Sequence, residues 1–172
     1  MAKKIIIILV LAFIVCAAIP GEWITIYKHY HFNGTKVPLK IPVEGISKSE
    51  LEDTFGAPRG DNRKHLGIDI LSSRGTKVLS STDGVIIYKG RDILGGNVVK
   101  ILGADNKLYY YAHLDSFENL EAEQQVKRGE IIGYVGNTGD AVSTPLHLHF
   151  EVMKIKWLFP LIMTNENSYY LL

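Results

Sequence analysis

The sequence predicts a mainly β protein, a single antiparallel β domain, on three observations. Short runs rich in β-branched and aromatic residues succeed one another from about residue 45 to residue 160. Turn sequences separate them, among them Thr82-Asp83-Gly84, Ala104-Asp105-Asn106 and Asn137-Thr138-Gly139. Helical character within the domain is confined to Asp115–Gln125, which is polar.

The elements follow in order. Lys3 and Lys4 precede an uncharged apolar run at residues 5–19. That run is shorter than the roughly 20 residues of a bilayer span and fits a signal-peptide core. Residues 1–19 are read as a secretory signal, cleaved near Ala17 or Ala18. An uncleaved N-terminal membrane anchor and lipidation at Cys16 stay open, and each of the three places the remainder in the periplasm or cell envelope. Residues 20–45 are expected as an extended leader, because Pro38 and Pro42 fix φ and bias the residues before them away from helix. Ser47–Leu51 has the look of a helical turn with Ser47 or Ser49 as cap. Strands are expected at Gly67–Ile70, Lys77–Leu79, Gly84–Lys89, Asn97–Leu102, Leu108–His113, Ile131–Val135 and His147–Met153. The main domain is bounded at 46–160. Residues 161–172 form a C-terminal tail, and the apolar stretch from 155 onward is expected to pack over the domain.

Composition removes several functions. A chain of 172 residues suits one domain, and 47% hydrophobic with 22% charged residues excludes a disordered chain. Lys and Arg number 19 against 18 Asp and Glu, a net charge of +1, so no polybasic footprint exists and nucleic acid is not an expected partner. The single cysteine, Cys16, excludes an internal disulfide and CxxC-type zinc sites. Any metal must be held by histidine and carboxylate.

Six histidines carry the functional argument. In a strand, residues i and i+2 share a face. His147 and His149 therefore point one way, while Leu148, Phe150 and Val152 point to an apolar core. The pattern is weak alone, since His29-Tyr30-His31 repeats it without a carboxylate nearby; those two histidines are read as solvated or packing residues. In His65-Leu66-Gly67-Ile68-Asp69, positions i and i+4 of an extended chain also share a face, so His65 and Asp69 can reach one ion. Gly67 permits close backbone approach. His113 ends a strongly β segment, with Tyr109 and Tyr111 expected on its face. Two histidines and one aspartate make a ligand set suited to Zn²⁺, and three protein ligands leave a fourth position for water, as catalytic zinc sites do. Two further histidines remain for proton transfer near neutral pH. Arg59 and Arg63, in the loop before His65, can meet substrate carboxylates or serve as a solvated loop. Tyr109 and Tyr111 are extra donors to substrate or cross-strand packing residues. Asn97 reads as a sheet-end residue. Glycines at 56, 60, 67, 133, 136 and 139 punctuate loops that would wall a groove on the sheet.

Ordered along the chain stand Asp53-Thr54-Phe55-Gly56-Ala57-Pro58-Arg59, HLGIDI at His65–Ile70, Gly95-Gly96-Asn97-Val98-Val99, YYYAHL at Tyr109–Leu114, Gly129–Gly139 and HLHFE at His147–Glu151. In these motifs the sequence resembles the lysostaphin/LytM-type zinc metallopeptidases, which cleave peptide bonds of bacterial peptidoglycan, over about Ile41 to Val152. The resemblance implies an antiparallel, duplicated-hybrid-motif-like fold with an active-site groove on the sheet. It implies His65, Asp69 and His149 as ligands of one Zn²⁺ per chain, and His113 and His147 as catalytic residues that do not ligate. It implies peptidoglycan stem peptides as substrate. Relatives that have lost ligands act as non-catalytic activators of other cell-wall hydrolases, which makes a binding module with hydrolase or regulator partners the alternative. Ser143-Thr144-Pro145-Leu146 departs from the Gly-Pro or Pro-Pro found in many relatives.

Overall fold

A computed structural model describes residues 20–30, 38–158 and 161–172. The readings of residues 1–19, and of His31, lie outside the described residues. Among the described residues no helix is long and apolar enough to cross a membrane.

Nine strands among the described residues form one antiparallel sheet, in agreement with the expected fold class. They are β1 (Ile68–Leu71), β2 (Lys77–Leu79), β3 (Gly84–Asp92), β4 (Gly96–Gly103), β5 (Lys107–Phe117), β6 (Gln125–Val126), β7 (Ile131–Val135), β8 (His147–Leu158) and β9 (Leu161–Glu166). The main path runs β1-β8-β5-β4-β3-β6. β8 pairs with β5 along one edge and is long enough to serve two neighbours on the other: its first four residues pair with β1, and the rest, from Val152, pair with β9. β7 takes over the end of β5 and carries β2 on its other side.

The core lies under the face of the sheet turned away from the cavity described below. Tyr109, Tyr111 and Phe150 are fully buried there with Ile68, Ile70, Ile101, Leu148, Val152, Val78 and Ile132. Tyr111 stacks at 5.2 Å and Tyr109 at 6.3 Å from the Phe150 ring. Their hydroxyls are satisfied at the margin: Tyr109 donates to Asp105 at 2.9 Å, and Tyr111 accepts from the Ser81 amide at 2.9 Å.

Three expectations are corrected. Asp115–Gln125 is not helical. Asp115, Ser116 and Phe117 continue β5, because β7 offers their backbone a ladder in register Ser116↔Tyr134 and Phe117↔Gly133. Residues 20–45 are not extended throughout, since Gly21–His29 forms a helix, α1. Its one buried residue, Ile26, packs on Ile87, Leu102, Leu108 and Ile155 on the cavity side of the sheet, and this tertiary cover selects helix in a short segment. The proline segment behaves as expected: Leu79 N–H donates to Pro42 O at 2.9 Å, and Val43 bridges Val78. The boundary at 160 falls inside the fold, and residues 161–172 pack over the domain as expected rather than forming a separate tail. β9 covers the edge that β8 would otherwise expose, and Tyr169, Leu171 and Leu172 pack on the core.

The turn expected near Ser47 is present as a short 3₁₀ turn at Lys48–Glu50, where the Glu50 carboxylate accepts from the Ser47 amide at 2.8 Å and its hydroxyl at 2.6 Å. Gly67 lies so close to β8 that a Cβ there would stand 2.3 Å from Phe150 O.

Candidate active site

β1 and β8 pair with Asp69 opposite His149, which brings two side chains 80 residues apart onto adjacent strands of one face. His65, just before β1, reaches the same point. His65 Nε2 lies 2.8 Å from His149 Nδ1 and 3.0 Å from Asp69 Oδ1, and His149 Nδ1 lies 3.1 Å from that same oxygen. The opposite ring nitrogens fix the tautomers. His65 Nδ1 is 2.8 Å from the Thr54 carbonyl, which can only accept, so that nitrogen carries the proton and Nε2 presents a lone pair. His149 Nε2 is 3.4 Å from the Glu151 carboxylate, which leaves the Nδ1 lone pair facing inward.

Two histidine lone pairs and a carboxylate oxygen thus converge, within 4.8 Å of one another. This is the donor set of a borderline divalent metal, with outward hydrogen bonds of the kind that orient metal ligands. Burial pushes the Asp69 carboxyl up, but the donors around it, Arg59 and, when their inward nitrogens are protonated, His149 and His65, outweigh it and hold it well below the usual carboxylate range. It is therefore an anion, as a ligand must be. Burial likewise pushes His149 down, and the carboxylates of Asp69 and Glu151 overcome it and raise it.

The supports reach further out. The Asp69 amide donates to Thr54 Oγ1 at 3.0 Å, so Thr54 steadies both His65 and Asp69. Asn165 on β9 donates to Glu151, which in turn holds His149.

The other two histidines flank this cluster. The rings of His113 and His147 are 5.0 Å apart, and His147 Nε2 is 3.6 Å from Asp69 Oδ1. His147 Nδ1 donates to Pro145 O at 2.7 Å, so the Ser143–Leu146 departure orients this ring through its backbone. His113 Nδ1 donates to Thr138 O at 2.8 Å. Burial lowers the pKa of His113, with the hydrogen bond to Thr138 opposing and His147 adding to the fall.

His113 does not share a face with Tyr109 and Tyr111, and those two residues are not in the cavity. The strand alternation breaks between them. β4 pairs Val99 with Tyr111 but Asn97 with Leu114, so two residues of β5, Ala112 and His113, oppose one of β4. His113 takes φ 62°, a left-handed conformation unusual for a residue with a side chain. This bulge turns the imidazole to the face of Tyr110, whose ring is 6.0 Å from His149. Tyr110, not its neighbours, lines the cavity, with its hydroxyl donated to Asp92 at 2.6 Å.

The bulge is locked by an interleaved pair of glycines. Gly96 and Gly139 have φ of 65° and 75°, and a Cβ on either would stand 2.4 Å or less from backbone nitrogen of the other. Thr138 lies beside this contact. Its hydroxyl donates to Leu114 O and accepts from the Asn97 amide, while its carbonyl holds His113. Asn97 Nδ2 donates to the carbonyls of Leu114 and Asp115 at 3.1 Å, a sheet-end role as expected.

His65, Asp69, Tyr110, His113, His147, His149 and Glu151 border one cavity of about 600 Å³. Arg59 and Arg63 border it too. Arg59 donates to Asp69 Oδ2, and Arg63 approaches Asp140 at 3.7 Å. Thr54, Tyr110 and Glu151 lie within motifs of the sequence that carry no sign of their individual roles, and Asn165 lies outside them. Glu151 was reachable, because it stands two residues from His149 on one strand face. Asn165 was not, since nothing local marks the strand that carries it.

The sequence pattern described as Peptidase family M23 matches residues 63–160. The chain is 48% identical over 89 residues to the DD-carboxypeptidase/endopeptidase Mpg of Neisseria meningitidis serogroup B, a stretch that is 52% of this chain and 20% of that protein. It is 38% identical over 122 residues to the murein hydrolase activator NlpD of Escherichia coli, covering 69% of this chain and 29% of that protein. Among solved structures it resembles the catalytic domain of the antimicrobial peptidase lysostaphin from Staphylococcus simulans, with a TM-score of 0.60 at 28% identity, over 70% of this chain and 91% of that one. The chain thus spans less than a third of the length of these curated relatives. A family pattern over more than half the chain, on a sheet that gathers four of its histidines into one cavity, shows that this protein belongs to peptidase family M23.

Proposed function

We propose that the protein is a zinc-dependent endopeptidase that hydrolyses peptide cross-links of bacterial peptidoglycan in the cell envelope, with His65, Asp69 and His149 holding the metal. The observation that carries this reading is the full set of five groups around one cavity: three converging lone-pair donors, and beside them two histidines each anchored at Nδ1 and free at Nε2.

Bound by the three donors, Zn²⁺ supplies Lewis acidity toward a carbonyl and lowers the pKa of a water to about 7. The chain's own part is proton handling and positioning. A neutral His113 or His147 accepts the water proton at Nε2 and returns it to the leaving amine, while the other, protonated at Nε2, donates to the oxygen that gains charge. Both Nδ1–H groups stay committed to backbone carbonyls, so neither ring has to turn during transfer. Glu151 and Thr54 keep the ligand rings in register.

A second reading has its own support. The 38% identity to a murein hydrolase activator favours a module that binds and activates another cell-wall hydrolase. Incubating the chain with purified sacculi and identifying released fragments by mass spectrometry separates the two. New peptide termini, absent with His147→Ala, establish hydrolysis and name the bond. No release by a chain carrying one zinc, together with enhanced release by an added hydrolase, establishes the activator.

A further inference from the structure

The cavity extends beyond the histidines. Glu151, Tyr110 and Lys100 are direct cross-strand partners on β8, β5 and β4, so they form one row on the cavity face. Beyond them Glu22, Trp23 and Ile26 of α1 make the end wall. Strands are about 4.8 Å apart, which puts Lys100 about 10 Å across the sheet from β8. An extended peptide spans that distance in about three residues.

Lys100 is aimed into this space and already holds a carboxylate. Its Nζ donates to Glu22 Oε2 at 2.7 Å, with both side chains no more than a quarter exposed. Two aromatic rings steady the ammonium independently of Glu22: the Tyr88 centroid lies 4.9 Å and the Tyr110 centroid 5.9 Å away. The partner carboxylate is held far less firmly. It belongs to a helix of nine residues that has no side-chain cap at its N-terminus. Isolated helices that short are marginal in water. Besides this ion pair, the contacts of α1 among the described residues include buried Ile26, and Lys28 and His29 against Glu123.

We propose that Lys100 binds a carboxylate of the peptide substrate, and that Glu22 is the internal ligand which this carboxylate displaces. The substrate class rests on the peptidase reading above, since peptidoglycan stems carry free carboxylates. Glu22 then has two effects. It compensates Lys100 when the cavity holds no peptide, and it competes with substrate, so α1 is an end wall that yields to an acidic peptide.

Calorimetry tests this with a stem pentapeptide bearing free carboxylates and the same peptide with every carboxylate converted to carboxamide. The proteins are the full chain and its Glu22→Gln, Lys100→Met and Lys100→Arg variants, each carrying His147→Ala so that peptide is not consumed. The free-acid peptide is expected to bind more tightly than the carboxamide. Glu22→Gln tightens the free acid about tenfold, the scale of one charge-assisted contact, and leaves the carboxamide unchanged. Lys100→Met abolishes the preference and Lys100→Arg retains it. Equal binding of the two peptides, or binding of neither, overturns the proposal. Thermal melting verifies folding; if Lys100→Met does not fold, the Glu22→Gln comparison alone decides. Release from sacculi by the unmodified chain is scored separately. A preference without release refutes the peptidase reading and leaves the carboxylate site standing, whereas release without a preference overturns the carboxylate site alone.

Discussion

Each histidine of the cavity is held at its outward ring nitrogen and turns the other toward the cluster, and the acceptor that holds it decides what it can do. Carbonyls of Thr54, Thr138 and Pro145 hold His65, His113 and His147, while a carboxylate holds His149. A carboxylate behind a ligating imidazole raises its basicity, so Glu151→Gln is expected to weaken zinc binding about 10- to 100-fold, read by competition with a chelator of known affinity. Unchanged affinity would remove Glu151 from the metal site. The proposed role of His113 is read from the pH dependence. Its folded pKa lies below the ordinary value because burial disfavours its charged form. If His113 is the proton acceptor it is competent above that lowered value, so beyond the step near about 7 of a zinc-bound water it adds a limb to kcat/KM only below about 6.5. Absence of any limb below about 6.5 would assign the base elsewhere. Stability follows the same sign: the unfolded chain takes up this proton first, so the His113 contribution is full above about 6.5 and is lost as pH falls from there toward the folded value.

At the scale of elements, the β5 bulge is the feature on which the site depends. An unbroken strand would send the His113 ring into the core beside Tyr109 and Tyr111. Gly139→Ala tests the lock. It would bring a Cβ to 2.2 Å from Leu94 O at a residue with φ 75°, so the loop must shift and carry Thr138 O away from His113. Activity is expected to fall by at least about a hundredfold, the weight of one misplaced acid–base group, while zinc content stays at that of the unmodified chain. Loss of zinc together with activity would mean that the loop supports the metal cluster as well. β9 matters similarly. Its Asn165 reaches Glu151, so the strand that closes the sheet edge also steadies the support behind a ligand.

For the whole molecule, one sheet does two jobs with its two faces. One buries Phe150 between Tyr109 and Tyr111, and the other carries His147, His149 and Tyr110 at the cavity. Phe150→Ala is expected to cost about 3–5 kcal/mol in a denaturant titration, the usual range for a fully buried ring. Zinc raises the denaturation midpoint by mass action if it binds only the folded site. A midpoint insensitive to zinc would show that the cluster does not hold it.

Much of this was legible in the chain. Period-two patterning around Leu148, Phe150 and Val152 assigned the core face and, by subtraction, the face of His147 and His149. The spacing of His65 and Asp69 marked a pair able to reach one ion, and the Gly and Asn turns marked an antiparallel β domain. These are local signals, because strand geometry relates a residue to its near neighbours. The exceptions all involve distant partners. Strand alternation sets Tyr109 and Tyr111 on the face of His113 until a bulge interrupts it, and that bulge is set by Gly139 and Thr138, some 25 residues away. α1 and β9 lack a strong pattern of their own and take their form from the sheet they cover. What the sequence by itself determined was the fold class and which side chains share a strand face. Which strands lie side by side, and hence which distant groups meet across them, was decided by tertiary structure, because register and bulges are fixed by backbone partners far along the chain.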